Sequence, residues 1–360
     1  MPKILFIAAH RIHRSPSQRF RFEQYFGFLE SNGFTCHLSS IISEDGDKYF
    51  YSQGNYLKKT GILLRSLKIR FNNWMNYNQY DIVFVQREAL MLGSTFFEKR
   101  IKSSKAKFVF DFDDSIWLMD TSDANKKFEW LKNPQKTAKN IGYCDMVFAG
   151  NNYLADYAKQ FNSNVKIIPT TIDTNEYINA GNKILSEKIV IGWSGSITTI
   201  KHFEYAIDFL TIVKAKYGDK VKIHVIGDKN YTNDVLTITG QAWKKETELH
   251  DLSEFDIGIM PLPNDEWANG KCGLKGLQYM ALEIPTIMSP VGVNTEIIQQ
   301  GENGFLASTT SEWVDCISKL IESPELRLKM GKAARQTVLE KYSVEAQKQR
   351  YLDCFNELLS

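Results

Sequence analysis

The chain has 360 residues, 43% hydrophobic and 24% charged, the composition of a soluble globular protein with room for two cores. Its net charge of +2 gives no global reason to expect nucleic acid as a partner, and no apolar run is long enough to span a bilayer. The five cysteines (Cys36, Cys144, Cys272, Cys316, Cys354) are odd in number and lack CxxC spacing, which argues for reduced thiols in a cytoplasmic protein and against a structural zinc.

Residues 3–9 form a near-continuous apolar run, which predicts a strand covered on both faces of a parallel sheet. The run ends in His10-Arg11 and not in a small-residue cleavage site, so a buried strand fits it better than a signal peptide. A loop over 10–17, a helix over 18–31 stopped by Asn32-Gly33, and a strand over 34–40 follow. This start opens a doubly wound fold, whose ligands gather at the carboxyl ends of strands. His10, Arg19 and Arg21 are therefore candidate acceptor-side residues, with solvated helix arginines as the plainer alternative. Over 56–77, Lys58, Lys59, Arg65, Lys68 and Arg70 alternate with apolar residues and no acid intervenes. That pattern suits the surface of an anionic membrane, and the basic cluster of Lys99, Arg100, Lys102, Lys105 and Lys107 adds to it. The alternative is a helix that packs its apolar side inward.

Strands are predicted over 81–85, 107–112, 145–149 and 165–168, with Arg87 beyond the first of these and Asp113 and Asp114 beyond the second. Residues 171–188 are irregular and polar and read as a linker. A second α/β region follows, with strands over 189–191, 221–227, 238–241, 255–260 and 286–288 and helices over 202–217 and 246–252. From 311 the pattern is helical: 312–322, 324–342 and 344–359.

Two stretches of this second region suit an anion. Gly192-Trp193-Ser194-Gly195-Ser196 lets backbone approach a ligand after a buried strand, Lys201 lies just beyond, and Gly227 ends the next strand. Gly273 precedes a helix beginning at Leu274, whose first N–H groups and dipole favour a phosphate, and Lys271 and Lys275 flank it. Asp111-Phe112-Asp113 offers a rival chemistry, the nucleophile-and-acid pair of a magnesium-dependent phosphohydrolase. It lies well inside the first region instead of opening it. Asp113 and Asp114 are thus read as cleft residues that orient an acceptor hydroxyl, with N-capping as the alternative for Asp114. The histidines show no metal-cluster spacing.

The segments FDFDDSIW (110–117), IPTTID (168–173), IGWSGS (191–196), FDIGIMPLP (255–263), KCGLKGLQYMALEIPTIMSPVG (271–292) and ENGFL (302–306) together resemble retaining glycosyltransferases of the GT-B fold, in the large family 4 group of glycosyl transferases group 1. The resemblance implies an α/β, GT-B architecture of two doubly wound Rossmann-like domains facing across a cleft. Its parts are an acceptor-side domain at 1–172, a linker at 173–188 and a nucleotide-sugar domain at 189–343, with a last helix (344–360) crossing back to the first domain. It also implies a nucleotide-diphosphate sugar as co-substrate, no essential metal or other cofactor, and a glycan or lipid-linked acceptor in surface polysaccharide assembly. The protein would be cytoplasmic and peripheral on the inner face of the membrane.

Transfer with retention passes through an oxocarbenium-like state while negative charge grows on the departing diphosphate. Lys201, Lys275 and the backbone of Ser194, Gly195, Ser196, Gly273 and Leu274 would meet that charge, and Asp113 would act near the acceptor. Family members often carry two glutamates eight positions apart, the later one for the donor ribose and the earlier for the donor sugar. Here these positions are Gly270 and Gln278. Gln278 still hydrogen-bonds, and Asp265 or Glu266 is placed to substitute for the earlier acid. A non-catalytic nucleotide-sugar binder is a further alternative on this ground.

Overall fold

The structure, a computed structural model, describes residues 1–118, 129–178 and 188–360. The chain divides into two compact units, Met1–Thr170 with Gln347–Ser360, and Thr171–Ala346.

The first unit is built on strands β1 (Lys3–Ala8), β2 (Thr35–Ser40), β3 (Ile82–Gln86), β4 (Lys107–Phe112), β5 (Met146–Ala149) and β6 (Val165–Ile167), in the spatial order β2-β1-β3-β4-β5-β6. Every pairing is parallel. Ile4 to Ala8, Ile82 to Gln86 and Phe108 to Phe112 are all buried, as unbroken apolar runs in a doubly covered sheet must be. Strand order reverses between β1 and β3, so the ligand crevice of this unit is expected beyond their carboxyl ends. The final helix, Val344–Leu359, covers one face of this sheet. Tyr351 stacks on Tyr25 at 4.3 Å and Phe355 lies 5.9 Å from Phe148 and 6.3 Å from Phe84.

The single helix expected over 18–31 is broken into Pro16–Arg19, a 3-10 turn Glu23–Tyr25, and Phe26–Ser31. Three buried polar side chains explain the break. Gln18 exchanges hydrogen bonds with the backbone of His10, Glu23 accepts from the His13 N–H, and Arg21 reaches Asp111 on β4. These partners do not lie on one helical face. The basic helix runs Tyr56–Asn76, but Arg70 is buried and donates to the carbonyls of Ala8, Ser39 and Ala89, so its charge serves the fold. Leu57, Leu64, Phe71 and Met75, spaced by seven, seven and four, are exposed on the outer side.

The second unit carries β7 (Ile189–Ser194), β8 (Val221–Gly227), β9 (Thr232–Asn233), β10 (Ile238–Thr239), β11 (Gln241–Ala242), β12 (Ile257–Met260), β13 (Thr286–Met288) and β14 (Phe305–Leu306). Its main sheet has the order β11-β8-β7-β12-β13-β14, again parallel throughout. The strand expected over 238–241 is split. β10 pairs antiparallel with β9, whereas β11 joins the main sheet beside β8. Order reverses between β7 and β12, and the loops after these two strands carry the predicted anion site. Helices Ile207–Tyr217 and Thr310–Glu322 bury a Phe209–Trp313 stack at 4.6 Å on this sheet. Of the predicted linker, 179–187 lies outside the described residues. Ahead of it Ile172 bridges to Ser343 and Tyr177 is fully buried in the second unit.

Candidate anion site

Three lysines of the second unit follow the carboxyl ends of β7 and β12. Helix Leu274–Ala281 starts at Gly273, whose φ of +68° only glycine adopts readily and which supplies no side-chain cap, so the N–H groups of the first turn have no intrahelical acceptor. Lys275, in that turn, extends its ammonium over the indole of Trp193 at 4.8 Å, and Lys271 lies 5.2 Å from the Trp267 ring. Lys201 is exposed on the short helix Ile200–Phe203. Beside Lys201 is His202, buried to 5% exposure. Burial pushes its pKa down to about 4, and the charges of Lys275, Lys271 and Lys201 act in the same direction, opposed by Asp265. One imidazole thus feels the charge of all three ammonium groups. Several cations at a helix N-terminus can hold a polyanion and stabilise charge that develops on it. Spacing alone did not reveal His202, because its meaning depends on these charges.

The loop after β7 does not offer its backbone as expected. Ser194 N–H donates to Tyr279 Oη at 2.7 Å, Gly195 N–H to the Ile226 carbonyl at 2.8 Å, and Ser196 N–H to Thr199 Oγ1 at 2.9 Å. These three N–H groups are already engaged, which leaves the lysines and the first turn after Gly273 as the candidate donors to an anion. Gly227 supports the loop from behind. Its φ is +146°, and a Cβ there would stand 2.8 Å from the Gly195 carbonyl oxygen. Gln278, one turn beyond Lys275, is buried and its Nε2 donates to Tyr177 Oη at 2.7 Å and Glu248 Oε1 at 3.2 Å. Gly270 ends the short helix Glu266–Asn269, which Asp265 caps through the Ala268 N–H.

In the first unit His10, Arg87, Asp113 and Asp114 come together beyond β1, β3 and β4. Arg87, held at a φ of +63°, donates to Asp113 at 2.8 Å and also pairs with Asp114. His10 Nε2 and Tyr51 Oη are hydrogen-bonded at 2.9 Å, and Arg11 and Arg14 both grip Asp47 Oδ2, at 2.8 and 2.9 Å. Burial lowers the His10 pKa to about 4; Asp47 works against that, and Arg14, Arg87 and Arg11 work with it. Asp47 and Tyr51 were not anticipated. They come from helix Glu44–Phe50 and its end, which Ser43 caps through the Gly46 N–H with acids in the first turn, a legible start signal.

Arg19 and Arg21 do not join this group. Arg21 is fully buried in an ion pair with Asp111 and donates to the Ile168 carbonyl, while Arg19 is 5% exposed and lies over the Phe20 ring at 4.2 Å. Arg21 serves the core, which corrects its reading as an acceptor-side residue, and Arg19 is buried as well. The same pairing removes the phosphohydrolase alternative, since Asp111 is sealed and bonded to Arg21 and cannot act as a nucleophile. Among the described residues no three His, Cys, Asp or Glu side chains are grouped to hold a metal ion.

Residues 188–323 match the family described as Glycosyl transferases group 1. The capsular polysaccharide biosynthesis glycosyltransferase CapM of Staphylococcus aureus is 25% identical over 48% of this chain and 47% of its own length. The N-acetyl-alpha-D-glucosaminyl L-malate synthase of Bacillus anthracis is 33% identical over 24% of this chain and 23% of its own. The chain thus spans less than half the length of these curated relatives. Among solved structures, sucrose-phosphate synthase from Thermosynechococcus elongatus superposes with a TM-score of 0.72 at 11% identity, covering 100% of this chain and 99% of that one. Anabaena HepE in complex with UDP-glucose gives 0.69 at 12% identity, with 99% of both chains covered. The chain has the α/β GT-B fold, and residues 188–323 of its second unit are similar to glycosyl transferases group 1.

Proposed function

We propose that the protein is a retaining glycosyltransferase. It moves a sugar from a nucleotide-diphosphate sugar to a glycan or lipid-linked acceptor in surface polysaccharide or glycoconjugate assembly. The observation that carries this reading is the uncapped start of helix Leu274–Ala281 at Gly273, with Lys275 in its first turn, at the carboxyl end of a parallel sheet. As the bond to the anomeric carbon breaks, charge grows on the diphosphate, where ammonium groups and the first-turn N–H groups stabilise it most. Those cations belong to the chain, so the reaction proceeds without an essential metal. The departing phosphate oxygen takes the acceptor proton on the same face, and His10, Arg87, Asp113 and Asp114 orient the acceptor. The CapM and HepE names support the substrate class. A screen of nucleoside diphosphates by thermal shift, followed by nuclear magnetic resonance of the anomeric proton of any product, tests the reading. Binding without transfer to any acceptor would favour a non-catalytic binder, and an inverted product would remove retention.

The acceptor class also predicts work at a lipid surface, with the protein cytoplasmic and peripheral on the inner face. No described helix is long and apolar enough to cross a membrane. The exposed row Leu57, Leu64, Phe71 and Met75 is flanked by exposed Lys58, Arg65 and Lys68, and Arg100 stacks on Trp74 and Phe96 at 5.0 Å beside it. Apolar side chains among cations suit an anionic headgroup layer. Flotation with vesicles containing phosphatidylglycerol should retain the protein, and Leu64→Glu with Phe71→Glu should release it. Equal retention of that variant would remove this assignment.

A further inference from the structure

Beyond β1 in the first unit, a chain of polar side chains runs from two buried atoms out to an exposed one. His10 Nδ1 and Asp47 Oδ1 face each other at 3.8 Å, and both are buried without a hydrogen-bond partner. The other oxygen of Asp47 is held by Arg11 and Arg14, and the other ring nitrogen of His10 is bonded to Tyr51 Oη at 2.9 Å. A carboxylate only accepts, so the neutral imidazole keeps its single hydrogen on Nδ1, towards Asp47. Nε2 then offers a lone pair, and the hydrogen of the Tyr51–His10 bond comes from the phenol. Tyr51 Oη keeps its own lone pairs for a further partner, on a residue that is 44% exposed. The charges nearby indicate which partner suits it. Arg11 and Arg14 are paired with Asp47, and Arg87 with Asp113 and Asp114, so three cations meet three carboxylates and these charges cancel. A phosphate or carboxylate entering here would have to part an acid from its guanidinium, whereas an uncharged hydroxyl leaves every pair in place.

We propose that Tyr51 Oη accepts a hydrogen bond from a hydroxyl of an uncharged sugar, the receiving end of the acceptor, and that Asp47 and His10 are positioning residues that turn the phenol hydrogen inward. This rests on the reading of the first unit as the acceptor side. Asp47 acts through two intermediaries. It sets the imidazole tautomer, the tautomer sets the direction of the phenol hydrogen, and that direction presents an acceptor to the ligand. Asp47→Asn reverses the sequence. Arg11 and Arg14 only donate, so they keep the amide oxygen and the amide nitrogen faces His10 Nδ1. Nδ1 must then accept, Nε2 carries the hydrogen, and Tyr51 presents its own hydrogen outward.

The test uses the full chain and two kinds of nuclear magnetic resonance. Ring-nitrogen spectra should show His10 as the Nδ1–H tautomer in the parent and as the Nε2–H tautomer in Asp47→Asn. Ligand-detected titrations then take the methyl glycosides of glucose, galactose, mannose and N-acetylglucosamine, with methyl glucuronide as the anionic control. At least one neutral glycoside should bind, more tightly than the glucuronide, and Tyr51→Phe should weaken it about tenfold, the scale of one hydrogen bond. Replacing the hydroxyls of the best-bound glycoside one at a time by fluorine, which cannot donate, should cost about tenfold at one position in the parent. That cost should vanish in both Tyr51→Phe and Asp47→Asn. A bare Nδ1 in the parent, tighter binding of the glucuronide, or a fluorine cost that persists in Tyr51→Phe overturns the proposal. UDP and GDP binding, read by thermal shift, should be the same in parent and variants, which checks the fold. Binding of either nucleotide but of no neutral glycoside would sink this proposal alone. Binding of neither nucleotide nor glycoside would remove the glycosyltransferase reading with it.

Discussion

Each unit holds a histidine just after its first strand, and burial keeps both near a pKa of about 4, but the charges around them are organised in opposite ways. At His10 the strongest neighbouring charge is a carboxylate, Asp47, which Arg11 and Arg14 already grip; Arg87 is taken up by Asp113 and Asp114. At His202 the strongest charges are three lysines, and the opposing carboxylate, Asp265, ranks below them. Arginine forks locked on carboxylates build a rigid wall, whereas ammonium groups on long stems gather where a mobile anion is to be met. Matched charge shapes the field at one histidine, and charge of one sign dominates it at the other.

The largest expected effect falls on the matched side. Arg21→Met leaves Asp111 buried without its partner and should destabilise the protein by about 3–5 kcal/mol, seen in urea unfolding. A loss under about 1 kcal/mol would break the view that this pair serves the fold. On the other side, Lys275→Ala should lower turnover about 100-fold while leaving the melting temperature nearly unchanged. Strong destabilisation instead would mean that the lysine is a packing residue over Trp193.

The two histidines sharpen the contrast through pH. Both have folded pKa values below the unfolded value of 6.5, so their stabilising contribution is full above pH 6.5 and is lost as pH falls towards 4. Adding pyrophosphate should move the His202 titration back up towards 6.5, because the anion screens the lysines, and should leave that of His10 in place. Chemical-shift titration of the two rings reads this directly, and equal movement of both would erase the distinction. The smallest effect is that of Lys201→Ala, whose exposed ammonium should contribute about threefold to pyrophosphate affinity, vanishing in about 0.5 M salt.

Most of the framework was legible because its signals are local. Apolar runs such as Ile4 to Ala8 and Phe108 to Phe112 marked the strands, and Gly273 marked the start of a helix. What was not legible depends on distant pairings. Arg21 reads as a solvated helix residue until Asp111, 90 positions away, is brought to it, and Gln278 reads as a lost acid until Glu248, 30 positions away, stands against it. The backbone of Ser194 to Ser196 looked available because glycine-rich loops often are, but nothing local predicted that Tyr279 and Thr199 would occupy it. Helix Glu44–Phe50 was missed despite a clear cap, because it is short and follows a strand with few apolar residues.

The helix that ends the chain sets the order in which the protein can be made. Tyr351 and Phe355 complete the packing over Tyr25, Phe84 and Phe148, more than 200 positions earlier in synthesis. The first sheet to leave the ribosome therefore keeps an aromatic face open until the second unit has been translated in full. At that stage the nascent chain is a natural client for chaperones. A chain stopped before Gln347 should stay in that condition, with its second unit folded and its first unit prone to aggregate.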